Sequence, residues 1–480
     1  MDPHLLDTIF HPRSVAVIGA SPHDLATLAH LNTKIRDHLF LINPNYTEIR
    51  GRRCHPRIVD VQGDVDYAIV IVAARLVPQI LEECIQKRVK VAQIYTAGFS
   101  ETGDPERIAL EKRIQETAAG RIRIIGPNCF GVYCPRSGLA IVPESPEEEG
   151  HIGVVAQSGS VVESFSYFAR TKGLRFSKVV SYGNAVDLDA PDFLELLARD
   201  PDTKIIAFYI EGTRNAGRLK RSLAVAAGRK PVIAIKGGLT DDGMRAARSH
   251  TASMTGTPEM WKSLFRQTGV VQVDSFDEMV NAVMAFSRCP LPRGKGVSLI
   301  TNSGGFSVIQ TDLCRKAGLE MPAFSPETVK TLRSLVPAAG TSIGNPLDAW
   351  PMYYNISDSG NLREIIKVVS SDRKIHSVIF QFDQFRYLRR ALGEGVGAHM
   401  EKLIPLMVEG CRAARDEEGK PVAACISLDA YLEDEEDRRY NLRIKSAFDE
   451  AGFPVYSNLD AAMKVVSNLY RYTQRKTSQQ

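Results

Sequence analysis

Positive charge is not in excess in this chain: 60 Lys and Arg stand against 56 Asp and Glu in 480 residues. A balance of that kind provides no basic stripe to neutralise a phosphate backbone, so nucleic acid is not an expected partner. No apolar run approaches the ~18 residues needed to cross a bilayer. Met1 to Arg13 carries Asp2, Asp7 and two histidines but no apolar stretch of signal-peptide length. The expectation is a cytoplasmic protein with no membrane partner. The eight cysteines (Cys54, Cys84, Cys129, Cys134, Cys289, Cys314, Cys411, Cys425) include no C-x-x-C pair and no Cys/His cluster at zinc spacing. That scatter fits reduced, buried thiols and leaves no metal site to expect. The G-x-G-x-x-G of dinucleotide binders is missing too, which argues against a nicotinamide-dependent oxidoreductase.

What is present is an alternation of short apolar, β-branched runs with longer segments of helical period, the pattern of a parallel sheet covered by helices. The class is α/β throughout, and the length argues for about three domains. Strands are expected at Ser14 to Ile18, Leu39 to Ile42, Tyr67 to Val72, Val91 to Tyr95 and Arg123 to Ile125, with a helix over Val77 to Val89. The repeated strand-then-helix order suggests a Rossmann-like first domain over 1–143. The acidic, turn-rich stretch PESPEEEG (143–150) reads as an exposed linker. A second domain, 151–289, has strands at Ile152 to Ala156, Lys178 to Ser181, Ile205 to Ile210, Val232 to Lys236 and Val270 to Val273, and a last helix near Phe276 to Phe286. A third, 294–472, has strands at Gly296 to Thr301, Ser377 to Gln381, Val422 to Ile426 and Pro454 to Tyr456.

Directly after the first strand, Gly19-Ala20-Ser21 offers small residues through which backbone N–H groups and a helix start can approach a phosphate. A tight turn favours Gly and Ser for its own sake, so a purely structural reading stands beside that one. Asn43-Pro44, Val72-Ala73-Ala74 and Thr96-Ala97-Gly98 fall at the same carboxyl edge, where open α/β sheets bind ligands. In the second domain Gln157-Ser158-Gly159-Ser160 joins a strand to a helix and presents orphan N–H groups and two hydroxyls to an anion. Ser160 as a helix N-cap is the alternative.

The segment Lys236 to Thr257 follows a strand, is rich in small residues and reads as a mobile loop holding one histidine, His250, between Ser249 and Thr251. A satisfied surface histidine is one reading. Arg245 and Arg248 add positive charge that suits a phosphorylated imidazole, and the strand Ile205 to Ile210 ends in Glu211-Gly212 at the same edge. A carboxylate there can accept one ring N–H, fix the tautomer and leave the other nitrogen free as a nucleophile toward phosphorus. The bland alternative for Glu211 is a strand-end carboxylate facing water.

Residues 14–21 (SVAVIGAS), 126–131 (GPNCFG), 157–160 (QSGS), 182–184 (YGN), 211–212 (EG), 249–251 (SHT), 301–305 (TNSGG) and 344–348 (GNPLD) follow the order and spacing of the NDP-forming acyl-CoA synthetases. The chain thus resembles the alpha subunit of the ADP-forming acetyl-CoA synthetases, which are relatives of succinyl-CoA synthetase. The resemblance implies a Rossmann-like CoA-binding domain followed by two flavodoxin-like CoA-ligase domains. It implies that His250 carries a phosphoryl group, that Glu211 partners it, and that Ser158, Gly159 and Ser160 hold phosphate. Gly19, Ala20, Ser21 and the edge turns match the CoA-contacting loops, and Asn128 lies in the motif near the thiol end. Two departures stand out: Asn45 where relatives often carry lysine after the Asn-Pro turn, and Phe306 where proline is commoner.

Coenzyme A is then a substrate, together with acyl-CoA or carboxylic acid and phosphate. Fused relatives continue into an ATP-grasp domain about where this sequence ends. ATP or ADP and Mg are accordingly expected on a separate ATP-grasp beta-type subunit, in a hetero-oligomer. The rival reading is a non-catalytic or regulatory CoA-binding protein that keeps the fold without such a partner.

Overall fold

The computed structural model describes residues 5–31, 33–250, 256–301, 304–336, 342–348, 353, 360–382, 385–426 and 435–478, without the side chains of 246–250, 304, 385–387 and 478. The chain divides into two compact units, Met1–Val280 and Asn281–Gln480.

The first unit holds two sheets. The first comprises β1 (Val15–Ile18), β2 (Leu39–Ile42), β3 (Glu48–Ile49), β4 (Arg52–His55), β5 (Tyr67–Val70), β6 (Val91–Ile94) and β7 (Arg123–Ile125). Their order is β3-β4-β2-β1-β5-β6-β7, with every neighbouring pair parallel except β3 with β4. Alternation along β1 explains its burial: Val15 and Val17 enter one apolar core while Ala16 and Ile18 enter another, so both faces are covered. The cover comes from α1 (Leu5–Phe10), α2 (Leu25–Leu31), α3 (Val77–Gln86) and α4 (Pro105–Ala118). Helix α4 starts where it does because the Asp104 carboxylate accepts the Glu106 N–H at 2.8 Å and Pro105 occupies the first turn.

The second sheet comprises β8 (Gly131–Tyr133), β9 (Ile152–Ala156), β10 (Phe176–Ser181), β11 (Ile205–Ile210), β12 (Val232–Lys236) and β13 (Val271–Gln272), in the order β13-β12-β11-β9-β10-β8. Only β8 runs antiparallel, against β10. The second sheet therefore recruits residues that precede the acidic stretch 143–150. Its helices are α5 (Gly159–Thr171), α6 (Ala190–Arg199), α7 (Ala216–Arg229), α8 (Asp241–His250) and α9 (Pro258–Thr268), while α10 (Phe276–Arg288) runs across the division between the two units. The segment read from sequence as a mobile loop thus contains the helix α8.

The second unit has one parallel sheet of β14 (Val297–Thr301), β15 (Leu347–Asp348), β16 (Ser377–Phe382), β17 (Val422–Ile426) and β18 (Val455–Tyr456), ordered β15-β14-β16-β17-β18. It is covered by α11 (Gly304–Lys316), α12 (Pro326–Leu335), α13 (Leu362–Ser371), α14 (Phe385–Leu392), α15 (Val396–Arg412), α16 (Glu435–Glu450) and α17 (Leu459–Ser478).

Each sheet of the first unit has a point where strand order reverses. Strand β1 lies between β2 and β5, and β9 lies between β10 and β11, so the loops leaving these central strands part in opposite directions. A crevice opens at the carboxyl ends of such strands, and ligands of open α/β sheets bind there.

Candidate functional site

At the first reversal point the turns are tied tightly to one another. Gly19 has φ +92°, and a Cβ there would lie 3.0 Å from Val72 Cγ1 and 3.2 Å from the Ile71 carbonyl carbon. Glycine suits that backbone, and a side chain there would be strained and would need the Val72 turn to give way. The N–H groups of Gly19 and Ala20 donate to the Ile42 carbonyl at 2.8 and 3.2 Å, and Asn43 Nδ2 donates to the Ala20 carbonyl at 2.8 Å. Asn43 Oδ1 also accepts the Asn45 N–H at 3.0 Å, fixing the turn through Pro44. Ser21 donates its N–H to Asp24 Oδ2 at 2.6 Å, and its hydroxyl accepts the Asp24 N–H at 3.2 Å. The backbone donors that sequence reasoning reserved for a phosphate are engaged with protein acceptors here.

The neighbouring turns are fastened in the same way. Thr96 Oγ1 donates to the Val72 carbonyl at 2.7 Å, at the turn that continues through Ala73 and Ala74. The Thr96 carbonyl in turn accepts the Asn128 N–H at 2.9 Å. Gly98 has φ +98° and gives its N–H to Glu101 Oε1 at 2.5 Å.

In the second sheet, Ser158 caps α5: its hydroxyl accepts the Val161 N–H at 3.5 Å and meets Ser160 Oγ at 3.0 Å. The N-cap is therefore Ser158, and Ser160 is left exposed. Gly159 lets the ring of Phe130 close in, since a Cβ would stand 2.8 Å from it. Phe130 itself stacks on Tyr95, with centroids 5.4 Å apart and planes within 3°. These elements wall a cavity of about 330 Å³. Thr96, Ala97 and Asn128 line it from the first sheet, Ser158, Gly159 and Ser160 from the start of α5, and Gly183 and Asn184 from the turn after β10.

Glu211 ends β11 and is buried, with 6% of its surface exposed, so the solvent-facing reading does not hold for this carboxylate. Tyr209 donates its hydroxyl to Glu211 Oε1 at 3.1 Å, and Gln157 Oε1 accepts the N–H groups of Glu211 and Gly212. Burial, and then the Glu211 charge, push the Tyr209 hydroxyl well above its ordinary range. On the adjacent strand Lys236 pairs in register with Ile210 and is buried as well. Burial pulls its ammonium down to about 8, with the Glu211 charge pulling the other way. The ammonium sits 5.1 Å from the centroid of the Trp261 ring and donates to the Gly237 carbonyl. Gly237 has no room for a side chain, since a Cβ would meet the Tyr209 hydroxyl at 2.6 Å.

The segment that carries His250 therefore leaves its strand right beside Glu211. The backbone of His250 closes α8, and its side chain, with those of Arg248 and Ser249, lies outside the described residues, as does Thr251 altogether. Arg245 is exposed and pairs with Asp242 on its own helix.

Sequence reasoning missed the parts played by Gln157, Tyr209, Lys236, Trp261, Glu101, Glu111 and Asn184. Lys236 carried a usable signal, a lysine as the last residue of an apolar strand. Glu101 and Glu111 carried none, because Asn184, the residue on which they meet, is remote in sequence.

Residues 13–135 match the family model described as a CoA binding domain, and 149–286 match the succinyl-CoA ligase like flavodoxin domain. The ADP-forming acetate–CoA ligase II of Archaeoglobus fulgidus is 33% identical over 99% of this chain and 68% of its own length. The alpha subunit of the ADP-forming acetate–CoA ligase I of Pyrococcus furiosus is 30% identical over 98% of both chains. The ADP-forming acetate–CoA ligase of Methanocaldococcus jannaschii is 38% identical, and the match spans about half of it, 49% of its length. Among solved structures, the dinucleotide-forming acetyl-coenzyme A synthetase 1 of Ca. Korarchaeum cryptofilum, in complex with phosphate and ADP, superposes with a TM-score of 0.82 at 26% identity, over 98% of this chain and 97% of that one. With both family domains matched and near full-length alignment to an alpha subunit, the chain belongs to the family of ADP-forming acetate–CoA ligases.

Proposed function

We propose that this chain is the alpha-type, phosphohistidine-carrying part of an NDP-forming acyl-CoA synthetase, interconverting acyl-CoA, phosphate and ADP with carboxylic acid, CoA and ATP. The observation that carries this reading is the cavity of about 330 Å³ whose walls combine the edge turns of one sheet with the helix start of the next. Coenzyme A takes the first-sheet edge, along Gly19 to Ser21, Asn43, Pro44, Val72 to Ala74 and Thr96 to Gly98, with its thioester near Asn128. Phosphate takes Ser158, Gly159 and Ser160, where the dipole of α5 favours an anion.

A phosphate oxygen then attacks the thioester carbonyl. The new C–O bond forms, the C–S bond breaks, and the CoA thiolate takes up the proton that phosphate releases. A ring nitrogen of His250 attacks phosphorus next, so that an N–P bond replaces the P–O bond and the carboxylate departs. Glu211, held by Tyr209 and Gln157, accepts the other ring N–H and keeps the attacking lone pair free. The phosphoryl group passes finally to ADP on an ATP-grasp beta-type partner within a hetero-oligomer. In this reading 1–143 is the CoA-binding domain, 151–289 the ligase domain with the phosphohistidine, and 294–472 a second ligase domain.

The test is to incubate the full chain with acetyl-CoA and radiolabelled phosphate. An acid-labile, base-stable label is expected, and His250→Ala abolishes it. Label retained in that variant overturns the assignment of His250, and CoA binding without any label in the wild type favours a binding protein over an enzyme.

A further inference from the structure

The turn Tyr182-Gly183-Asn184 is pressed against the turn Gly126-Pro127-Asn128. Gly183 has φ +55°, and a Cβ there would lie 2.1 Å from the Pro127 carbonyl oxygen and 2.4 Å from that of Asn128. Asn184 donates its N–H to the Pro127 carbonyl at 3.0 Å, and Asn128 is itself held at φ +57°. Both asparagines line the cavity.

Asn184 is buried, with 8% of its surface exposed, and its amide nitrogen meets two carboxylates: Glu101 Oε2 at 2.6 Å and Glu111 Oε2 at 2.8 Å. Each carboxylate is anchored elsewhere. Glu101 takes the N–H groups of Gly98 and Phe99, while Glu111 takes the Ser100 hydroxyl at 2.6 Å and Arg214 at 3.1 Å. Burial works against ionisation of Glu101, but the Asn184 amide and those two N–H groups outweigh it and hold the carboxyl below its ordinary range. Each carboxylate accepts from the Asn184 amide, so both of its hydrogens are committed to them. Its oxygen must then face the other way, where Asn128 Nδ2 lies 3.4 Å distant.

We propose that Asn184 is a positioning residue: clamped by Glu101 and Glu111, it takes one amide hydrogen of Asn128 and thereby aims the second at the carbonyl oxygen of the acyl group in the cavity. The inference deepens the function proposed above and rests on it. It gives Asn128 the role of a preorganised donor to the oxygen that gains charge when phosphate attacks the thioester. The two carboxylates behind Asn184 make its amide oxygen the stronger acceptor, which tightens its hold on Asn128.

The test is a double-mutant cycle on the full chain, reading the rate of label incorporation from phosphate and acetyl-CoA, with CoA affinity by calorimetry and thermal unfolding alongside. Asn128→Ala is expected to slow labelling roughly 100-fold, as loss of such a donor does. Asn184→Ala is expected to slow it roughly 10-fold while CoA affinity changes less than about 3-fold. The double variant is expected to be no slower than Asn128→Ala alone, because Asn184 acts only through Asn128.

If Asn184→Ala does not fold, Asn184→Ser replaces it; serine offers the carboxylates one donor but cannot reach Asn128, so the same losses are expected. Losses that multiply in the double variant, or an Asn184 variant that labels at the wild-type rate, overturn the positioning role. A wild type that binds CoA yet takes no label sinks the proposed function and this inference together, whereas a labelled wild type with multiplying losses sinks this inference alone.

Discussion

Gln157 Oε1 accepts the backbone N–H of Glu211 at 2.9 Å and that of Gly212 at 3.2 Å, so a single side-chain amide bridges the carboxyl ends of β9 and β11 across the reversal point of the second sheet. All three residues are buried. This side chain thus reinforces the last backbone bond between the two strand ends, from the Gln157 N–H to the Tyr209 carbonyl at 3.1 Å. Glu211 receives its position from this bridge and its orientation from Tyr209.

Gln157→Ala leaves two buried N–H groups without that acceptor. A loss of about 1–3 kcal/mol in unfolding free energy is expected, the cost of stranding buried donors. Urea unfolding of the variant against wild type measures it, and a loss below about 0.5 kcal/mol would mean that water replaces the bridge.

Gly19→Ala tests the other reversal point. The variant must hold a left-handed backbone and place a methyl 3.0 Å from Val72. Strain of that kind costs about 1–3 kcal/mol. Relief by movement of the Val72 turn would widen the proposed CoA edge, so CoA affinity is expected to fall roughly 10-fold, equivalent to about 1.4 kcal/mol. Calorimetry with CoA reads this directly. Unchanged affinity in a folded variant would place CoA away from this turn.

Much of the architecture was legible in the sequence because the central strands are continuous apolar runs. Ile152–Ala156, Ile205–Ile210, Val232–Lys236 and Val422–Ile426 stand where their β-branched residues say they should. Not every strand was legible. Glu48–Ile49 and Arg52–His55 are short and polar, and Gly131–Tyr133 becomes a strand only through its antiparallel pairing with β10, a contact remote in sequence. The helix expected to run to Val89 stops at Gln86, since Arg88 turns left-handed at φ +63° and drops Val89 into the core. At the site, the small-residue turns were visible as motifs. What the motifs do not reveal is that the N–H groups of Gly19, Ala20 and Ser21 are spent on protein acceptors, or that two glutamates converge on Asn184, because both facts depend on the packing of distant segments.

Lys178 in β10 and Asp200 are each 2% exposed and lie 2.9 Å apart, with Asp202 at 3.1 Å from the same ammonium. Asp200 also accepts the N–H and hydroxyl of Thr203. Lys178→Met removes the cation and leaves a buried carboxylate, which is expected to cost about 3–5 kcal/mol. Replacing both, as Lys178→Met with Asp200→Leu, should recover much of that loss, because the desolvation of both charges disappears together. Urea unfolding of the pair decides it. A double variant as unstable as the single one would show that the Thr203 bonds, rather than the ion pair, hold this end of the sheet.

Lys236 gives the protein a pH dependence with a defined sign. Burial brings its folded pKa to about 8 from the ordinary 10.5, against the pull of Glu211. Between those values the unfolded chain binds the proton and the folded one has released it, so stability rises with pH across the window. Below it the lysine is charged in both states and the cost of burying the ammonium is fully present; above it the group is neutral in both and the cost has gone. The residue is only 4% exposed, so solvent screens little of the effect. A displacement of this size corresponds to up to roughly 3 kcal/mol. Measured by urea unfolding, the wild type is expected to gain that much relative to Lys236→Met as the pH climbs through the window. Adding Glu211→Gln removes the opposing charge and should move the rise to lower pH. Parallel curves for wild type and Lys236→Met would show an ammonium that keeps its hydration in the folded state, and would remove Lys236 from the electrostatics of Glu211.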